Sequence, residues 1–487
     1  MRVKHLLLAF VLLLGVEGCH LSPVPTLPKL SVPVQFDNVT SLPTHDADLE
    51  QWWKEWQDPT LTALIEEGLK NSPSIKKARQ NMKLAIAYHA MVQADLWPMI
   101  GFSGRKTWGH GQIENSYLDD LNIGRTSTDI EARQLGLFSR WNVDLFGQKR
   151  NEAQSSYYNL LSAKEMFHAA QMSLSSRIAE NYFNAIATHS QQQISQEALA
   201  DLENLLRYTQ RRFEAGETNP TEISELKARI AQLHSQQALL GAQLEQIEKS
   251  IAVLIGHTPQ GYHVPYQKKV LDRNPSLPTG IKPDSLIYRR PDLMAKQRQI
   301  CALTSKYKAA QADLFPKFYL NFGLLQGKLG ISTFSKGLLS GPLWDIGVDL
   351  PIFTAGKIKA HIRATEAMLR SAFEDYDEAL LSALQEVDSS YRWAEAYRDS
   401  VTQLLVTQQK LLKRSSDSQK LFKYGEFTYD KFLLNHLDFL KAREALIREK
   451  LNQARATILL YQALGGGWSQ GEVSHPPSNH PNEAPRN

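Results

Sequence analysis

The side chains that could do chemistry in this chain are scattered, and no spacing among them builds a reaction centre. The 14 histidines are dispersed, with no His-Glu-x-x-His run and no close cysteine pair of the kind that holds zinc. His110 stands alone in what reads as a loop, and the eight methionines do not cluster. Gly465-Gly466-Gly467 lacks the Lys-Ser or Lys-Thr of a phosphate loop and closes a helical run. Arg289-Arg290-Pro291-Asp292 reads as a helix start, with Asp292 favouring the dipole of the first turn. No catalytic group, metal or cofactor is expected. Gly216 and Gly425 each follow a helical run and read as turn or packing residues, since glycine relieves crowding that a larger residue would create.

Two cysteines are present. Arg2 and Lys4, an apolar run over 6–14 and then Val16-Glu17-Gly18 precede Cys19. Residues 1–18 read as an export signal, and Cys19 as a lipidated first mature residue carrying palmitate-type chains. The apolar run is too short to span a bilayer. A plain signal peptide cleaved elsewhere is the alternative, because Glu17 departs from the small residue usual there. His20 follows, not the aspartate that often retains bacterial lipoproteins in the inner membrane. Cys301 alone remains in the mature chain, so no internal disulfide is available. It lies in a helical run and is expected to be buried and inert. A net charge of +4 over 487 residues gives no argument for a nucleic-acid partner.

The chain reads as two copies of one pattern. Gln93-Ala94-Asp95-Leu96-Trp97-Pro98 returns as Gln311-Ala312-Asp313-Leu314-Phe315-Pro316, 218 residues later. Phe213-Glu214-Ala215-Gly216 answers Phe422-Lys423-Tyr424-Gly425 at a spacing of 209, and Leu254-Ile255-Gly256 answers Ala463-Leu464-Gly465 at the same spacing. An internal duplication constrains the whole fold.

Each copy mixes strands with long helices. Trp344, Ile346, Val348 and Leu350 share one strand face, and Asp345, Gly347 and Asp349 the other. The same period-two pattern sets Leu135, Leu137, Trp141, Val143 and Leu145 against Gly136, Arg140, Asn142 and Asp144. Phe318, Leu320, Phe322 and Leu324 oppose Tyr319, Asn321 and Gly323, and more weakly Ile100 and Phe102 oppose Gly101, Ser103 and Arg105. Four strands are expected, near 99–107, 134–145, 317–326 and 343–351, with polar loops over 109–128 and 327–341. A soluble sandwich would alternate as well. An export signal and strands numbering only four favour a membrane barrel, whose apolar face meets lipid. Four strands leave edges that need partners, so several chains must contribute. Three copies, about twelve strands, are the simplest closed solution.

Runs over 148–213 and 357–423 contain no proline and are rich in helix formers. At 1.5 Å per residue each would reach roughly 100 Å. Second helices follow over 220–255 and 428–464. Shorter helices are expected over 61–96 and 284–314, with Pro98 and Pro316 marking the switch from helix to strand. Such lengths suit coiled-coil or tubular packing. The expectation is a mixed α/β membrane protein, a trimeric β-barrel with four strands per chain above a long α-helical tunnel.

With these landmarks in order, the chain resembles the outer membrane factor family, the TolC-like and OprM-like exit ducts of Gram-negative efflux and secretion systems. Its nearer resemblance is to the lipoprotein, NodT-type branch. Trp52-Trp53-Lys54-Glu55-Trp56-Gln57-Asp58-Pro59-Thr60-Leu61 resembles the family's start, with Leu64-Ile65 following, and Asn71-Ser72-Pro73-Ser74-Ile75 is a further family-like run. Trp141-Asn142-Val143-Asp144-Leu145-Phe146-Gly147 resembles the end of its second strand, and Pro351-Ile352-Phe353-Thr354-Ala355-Gly356 the end of its fourth. Tyr288-Arg289-Arg290-Pro291-Asp292-Leu293 resembles the start of its second repeat, and Ala463-Leu464-Gly465-Gly466-Gly467-Trp468 its close.

The resemblance implies a homotrimer in the outer membrane with a periplasmic helical tunnel and a belt formed partly by the linker near 261–283. It implies docking on a periplasmic adaptor and an inner-membrane pump, of RND type in the small-molecule branch. The chain then divides into a signal (1–18), a tether (19–59), a first repeat (60–260), a linker (261–283), a second repeat (284–468) and a polar tail (469–487). In the family, carboxylates at the inner end of the tunnel constrict it. That makes Glu217, Glu222, Glu426, Asp430 and Asp438 candidate gate residues, with Tyr429 at a position resembling one near the constriction. Gly216 and Gly425 mark turns that an adaptor would grip. A lipid-anchored periplasmic scaffold without channel activity is the alternative, and it leaves the four matched strands unexplained.

Overall fold

The structure, a computed structural model, describes residues 23–25, 32–38, 48–114, 125–266, 270–331 and 336–469. The export signal, Cys19 and the tail from residue 470 lie outside the described residues. The elements repeat in order. Helices α1 (Pro59–Asn71) and α2 (Pro73–Ala94) lead into strands β1 (Met99–Glu114) and β2 (Arg125–Val143), then helices α3 (Gln148–Glu214) and α4 (Pro220–Ile255). A helical turn, Leu286–Arg289, and α5 (Pro291–Ala312) lead into β3 (Lys317–Ile331) and β4 (Lys336–Asp349), then α6 (Lys357–Lys423) and α7 (Tyr429–Ala463).

The helices expected over 61–96 and 284–314 are each broken. Asp58 caps α1, its carboxylate accepting from the Thr60 and Leu61 amides at 2.8 and 3.2 Å, with Pro59 at the first helical position. The helix stops at Ser72 because Pro73 has no N–H to continue it and pushes its predecessor to ψ 133°. Arg290 leaves the helical region before Pro291 for the same reason. Helices α3 and α6 are 67 residues each, α4 is 36 and α7 is 35.

The chain divides into two compact units. The first comprises Met1–Pro28, Lys83–Ser162 and Lys296–Asp375 and contains the sheet. Its strands form an antiparallel meander in the order β1-β2-β3-β4, with Met99 opposite Arg140, Val143 opposite Phe318 and Lys317 opposite Asp349. The strands run well past the ends expected beside the polar loops. Half of 109–128 and most of 327–341, expected as loops, is strand, and His110 sits within β1. Residues 115–124 and 332–335 lie outside the described residues. The ladder is made of backbone hydrogen bonds, which polar and glycine-rich stretches supply as well as apolar ones. The apolar band therefore marks only part of each strand.

Two features of the sheet matter for function. The outer strands β1 and β4 each have one edge without a partner strand among the described residues. One face is apolar and uncovered: Trp344 and Ile346 are each 76% exposed and Ile100 is 74% exposed. On the other face Asn321 donates to Asp345 directly across the ladder at 2.9 Å. The sheet is braced by aromatic rings folded over glycines on the neighbouring strand, Phe138 over Gly101 and Tyr319 over Gly347. Cys301 is half-buried, not buried as expected, and it is free.

The second unit comprises Lys29–Met82, Ala163–Ala295 and Tyr376–Asn487. Its core gathers Trp52, Trp53 and Trp56 on Phe183, Ile251, Ile255 and Tyr461, with Trp52 stacked on Tyr461 at 5.6 Å between ring centres. The linker after α4 is tied down by buried Glu248, which accepts from the Val264 amide at 3.2 Å and from the Tyr266 hydroxyl.

The duplication is visible here as one contact made twice. Gly256 ends α4 at φ +85°, and a Cβ on it would lie 2.6 Å from the Asn71 carbonyl oxygen. Gly465 follows α7 at φ +82°, and a Cβ on it would lie 2.6 Å from the Arg289 carbonyl oxygen. Both carbonyls belong to the last helical residue before a Ser-Pro or Arg-Pro break. Only glycine combines the left-handed turn with so close an approach. Gly256→Ala and Gly465→Ala should each cost about 2 kcal/mol or more. Thermal melts followed by helix circular dichroism should fall by about 2–3 °C for each. An unchanged melting temperature would show that the backbone contact is slack.

Candidate functional site: the hairpin ends

The candidate residues lie where α3 turns into α4 and α6 turns into α7. Both turns close with the same hydrogen bonds. After α3, the Gly216 amide donates to Phe213 O at 2.9 Å and the Glu217 amide to Arg212 O at 2.8 Å. After α6, Gly425 donates to Phe422 O at 3.0 Å and Glu426 to Leu421 O at 2.9 Å. Gly216 and Gly425 have φ of +76° and +78°, and nothing lies within 4 Å of where a Cβ would be. They are turn glycines required by backbone conformation, and they do not pack against a neighbour.

The two hairpins differ at the next step. Asn219 caps α4, accepting from the Thr221 and Glu222 amides at 3.0 and 3.3 Å, with Pro220 at the first position. Thr428 makes no side-chain cap on α7, and Asp430 supplies negative charge in the first turn instead.

The candidate carboxylates do not share one environment. Glu217, Glu222 and Glu426 are exposed. Glu217 faces Arg212 at 3.4 Å, and Asp438 pairs with Arg414 at 2.6 Å. Asp430 is half-buried, with one carboxylate oxygen enclosed and unbonded. Tyr429 is the centre of an aromatic knot. Its ring meets Tyr208 edge-on at 5.2 Å, Phe422 at 5.1 Å and Phe432 at 6.1 Å. Tyr208 belongs to the first hairpin, so Tyr429 joins the two. Below it, an apolar cluster of Ile194, Leu202, Leu205, Leu226, Leu433 and Leu440 packs α3, α4 and α7 together, with partly buried Leu411 of α6 against it.

Sequence reading missed two polar rungs on this seam. Asp201 of α3 faces His436 of α7, carboxylate to Nε2 at 3.6 Å, and Glu197 pairs with Arg443 one turn further along. The available signal was a carboxylate placed among Ala198, Leu202 and Leu205, on the apolar stripe of its helix. Burial pushes the Asp201 carboxyl above the usual carboxylate range; His436 opposes the shift and Glu197 adds to it. Among the described residues no group of three or more His, Cys, Asp or Glu side chains is placed to hold a metal ion, and no helix is long and apolar enough to cross a membrane.

This arrangement is that of struts and a seam, with no convergent polar pocket. Residues 64–257 and 283–466 match the family described as outer membrane efflux protein, one match to each copy of the duplication. The chain belongs to this family. It is an outer-membrane efflux channel component. It is similar to the cation efflux system protein CusC of Escherichia coli, 25% identical over 95% of this chain and 99% of that protein. It is likewise similar to the pyoverdine export outer membrane protein OpmQ of Pseudomonas aeruginosa, 26% identical over 96% of this chain and 98% of that one. The solved CmeC outer membrane channel of Campylobacter jejuni shares the fold at a TM-score of 0.79, covering 93% of this chain and 96% of that one at 21% identity.

The aromatic knot makes a direct prediction. Tyr429→Ala should loosen the seam by about 2 kcal/mol, whereas Tyr429→Phe keeps the ring contacts and most of the stability. Hydrogen exchange at the start of α7 should rise at least tenfold in the alanine variant and little in the phenylalanine variant. Equal exchange in both would show that the ring contacts contribute nothing.

Proposed function

We propose that three copies of this chain close a barrel of about twelve strands and form the passive exit conduit of a tripartite efflux assembly. The unpaired edges of β1 and β4, on a sheet with an exposed apolar face, carry this reading. An open edge in lipid leaves backbone groups unsatisfied at several kcal/mol each, so a lone chain has no stable place in the bilayer. Cys19 anchors the chain to outer-membrane lipid in this reading, as in the lipoprotein branch. A periplasmic adaptor grips the turns at Gly216 and Gly425. An inner-membrane pump of the RND type supplies the energy.

Glu217, Glu222, Glu426, Tyr429, Asp430 and Asp438 form the gate region of the proposed conduit. Their surroundings support different parts in it. Asp438 is neutralised by Arg414, and Tyr429 joins hairpins. Asp430 is the strongest candidate for a carboxylate that ties the gate shut, because part of its charge is enclosed without a hydrogen bond. The cargo belongs to the class of small molecules. Relatives of near-equal similarity are named for metal cations and for pyoverdine, so cargo choice sits with the pump.

The purified protein, reconstituted in a planar bilayer, should conduct ions, and Asp430→Ala should raise the resting conductance severalfold. A protein that inserts but never conducts is a lipid-anchored scaffold. A conducting protein whose resting level ignores Asp430→Ala has its gate elsewhere.

A further inference from the structure

The three ladders of the sheet run without a bulge, so each row of opposed residues keeps to one face. On the apolar face, the row beside the helix junctions is Val143, Phe318 and Val348. The face stays largely apolar up to the row of Phe102, Leu137 and Leu324. Further out the chemistry changes. The row ten residues along β2 from Val143 reads Lys106, Arg133, Lys328 and Leu338, a cation on three adjacent strands.

The height of this change identifies what meets it. Strands rise about 3.3 Å per residue and tilt by about 35–45° in a membrane barrel, so ten residues climb roughly 25 Å. That is about the height of the apolar band such barrels present to lipid. In a barrel the basic row therefore stands at the headgroup level, at the strand ends away from the helices. Trp108, one pair further out and opposite Glu131, fits the aromatic girdle of that interface.

The side chains of β1 and β2 form a cluster there. Arg133 donates to Glu131 Oε1 from Nε at 2.9 Å and from Nη2 at 2.8 Å. Lys106 Nζ lies 3.5 Å from the same carboxylate oxygen and 5.8 Å from the centre of the Trp108 ring. All three charged side chains are half exposed or more. One carboxylate cannot neutralise two cations, and Lys328 stands next to Arg133 in the row by register. Like charges directly opposite across a ladder are destabilising. An anion lying over the row turns that repulsion into attraction. Arginine offers a planar fork and lysine a point charge, the two donor types that phosphate oxygens accept. A soluble anion would have to reach this row at the edge of the bilayer. A lipid phosphate is held at that depth by its own acyl chains.

We propose that Lys106 and Arg133, with Lys328 beside them, form a binding site for the phosphate groups of outer-leaflet lipid, the phosphorylated glycolipid of an outer membrane's outer surface. Glu131 orients the two cations and limits their charge. Bound phosphate fixes the height at which the barrel rides in the bilayer. The site rests on the barrel reading for which face meets lipid and which end points outward.

The test titrates the full-length protein, in nonionic detergent with a chelator present, with diphosphorylated lipid A and with the same lipid stripped of its phosphates. Native mass spectrometry counts the lipid bound per chain. Lys106→Gln and Arg133→Gln should each weaken binding of the phosphorylated lipid about fivefold, and the double variant about thirtyfold. Glu131→Gln should strengthen it severalfold, a gain that a folding defect does not produce. Arg105→Gln, the neighbouring position on β1 but on the opposite face, should leave it unchanged. The stripped lipid should bind the wild type and the double variant alike, and excess inorganic phosphate should not displace the phosphorylated lipid. Equal binding of the phosphorylated lipid by wild type and double variant overturns the site and leaves the barrel reading, which conductance tests, standing. A loss with Arg105→Gln as large as with Lys106→Gln overturns the site together with the assignment of faces. Displacement by inorganic phosphate overturns the assignment to lipid.

Discussion

Everything in this protein follows from a sheet that one chain cannot finish. Among the described residues, four antiparallel strands leave β1 and β4 with open edges, and the face carrying Trp344 and Ile346 has no cover. In water such a face would aggregate, and in lipid such edges would strand backbone donors and acceptors. A ring of copies solves both problems at once. The polar face, where Asn321 meets Asp345, is then left for water. Passage through the proposed conduit requires nothing more than that wetted interior.

The helical part is governed by duplication. Both repeats reuse one design, in which a glycine at the end of the hairpin's second helix presses on the backbone just before a proline break. Gly256 on Asn71 and Gly465 on Arg289 are that contact, made at nearly identical separation. The copies have diverged where they meet. Asn219 caps α4 and Thr428 does not cap α7. The α7 start instead carries Asp430 in its first turn and Tyr429, which engages Tyr208 of the first hairpin. Divergence is concentrated at the seam between hairpins, and conserved geometry at their roots.

Much of this was legible in the residues. Proline-free runs of good helix formers predicted α3 and α6 almost to their ends, and Pro220 marked the start of α4. Period-two alternation found all four strands because lipid and water sort side chains by face. It stopped short of the strand ends, where the sequence is polar and glycine-rich while the backbone ladder continues. The shorter helices were read too long because periodicity runs through Ser72-Pro73 and Arg290-Pro291 even though the hydrogen-bond ladder stops there. At the hairpin ends, glycine spacing located both turns. The partners of each carboxylate were not readable. Asp438 finds Arg414 and Asp201 finds His436 only when distant helices pack. No local pattern encodes which helix becomes whose neighbour.

The central claim is that the free edge of β1 in one copy pairs with the free edge of β4 in the next. Cysteines introduced singly along β1 and β4, then combined in pairs and oxidised in native membranes, read this contact directly. A register exists in which paired variants give covalent dimers and trimers on non-reducing gels, and single variants do not. If the only product is a monomer with an internal β1–β4 disulfide, the sheet closes on itself and the account is wrong.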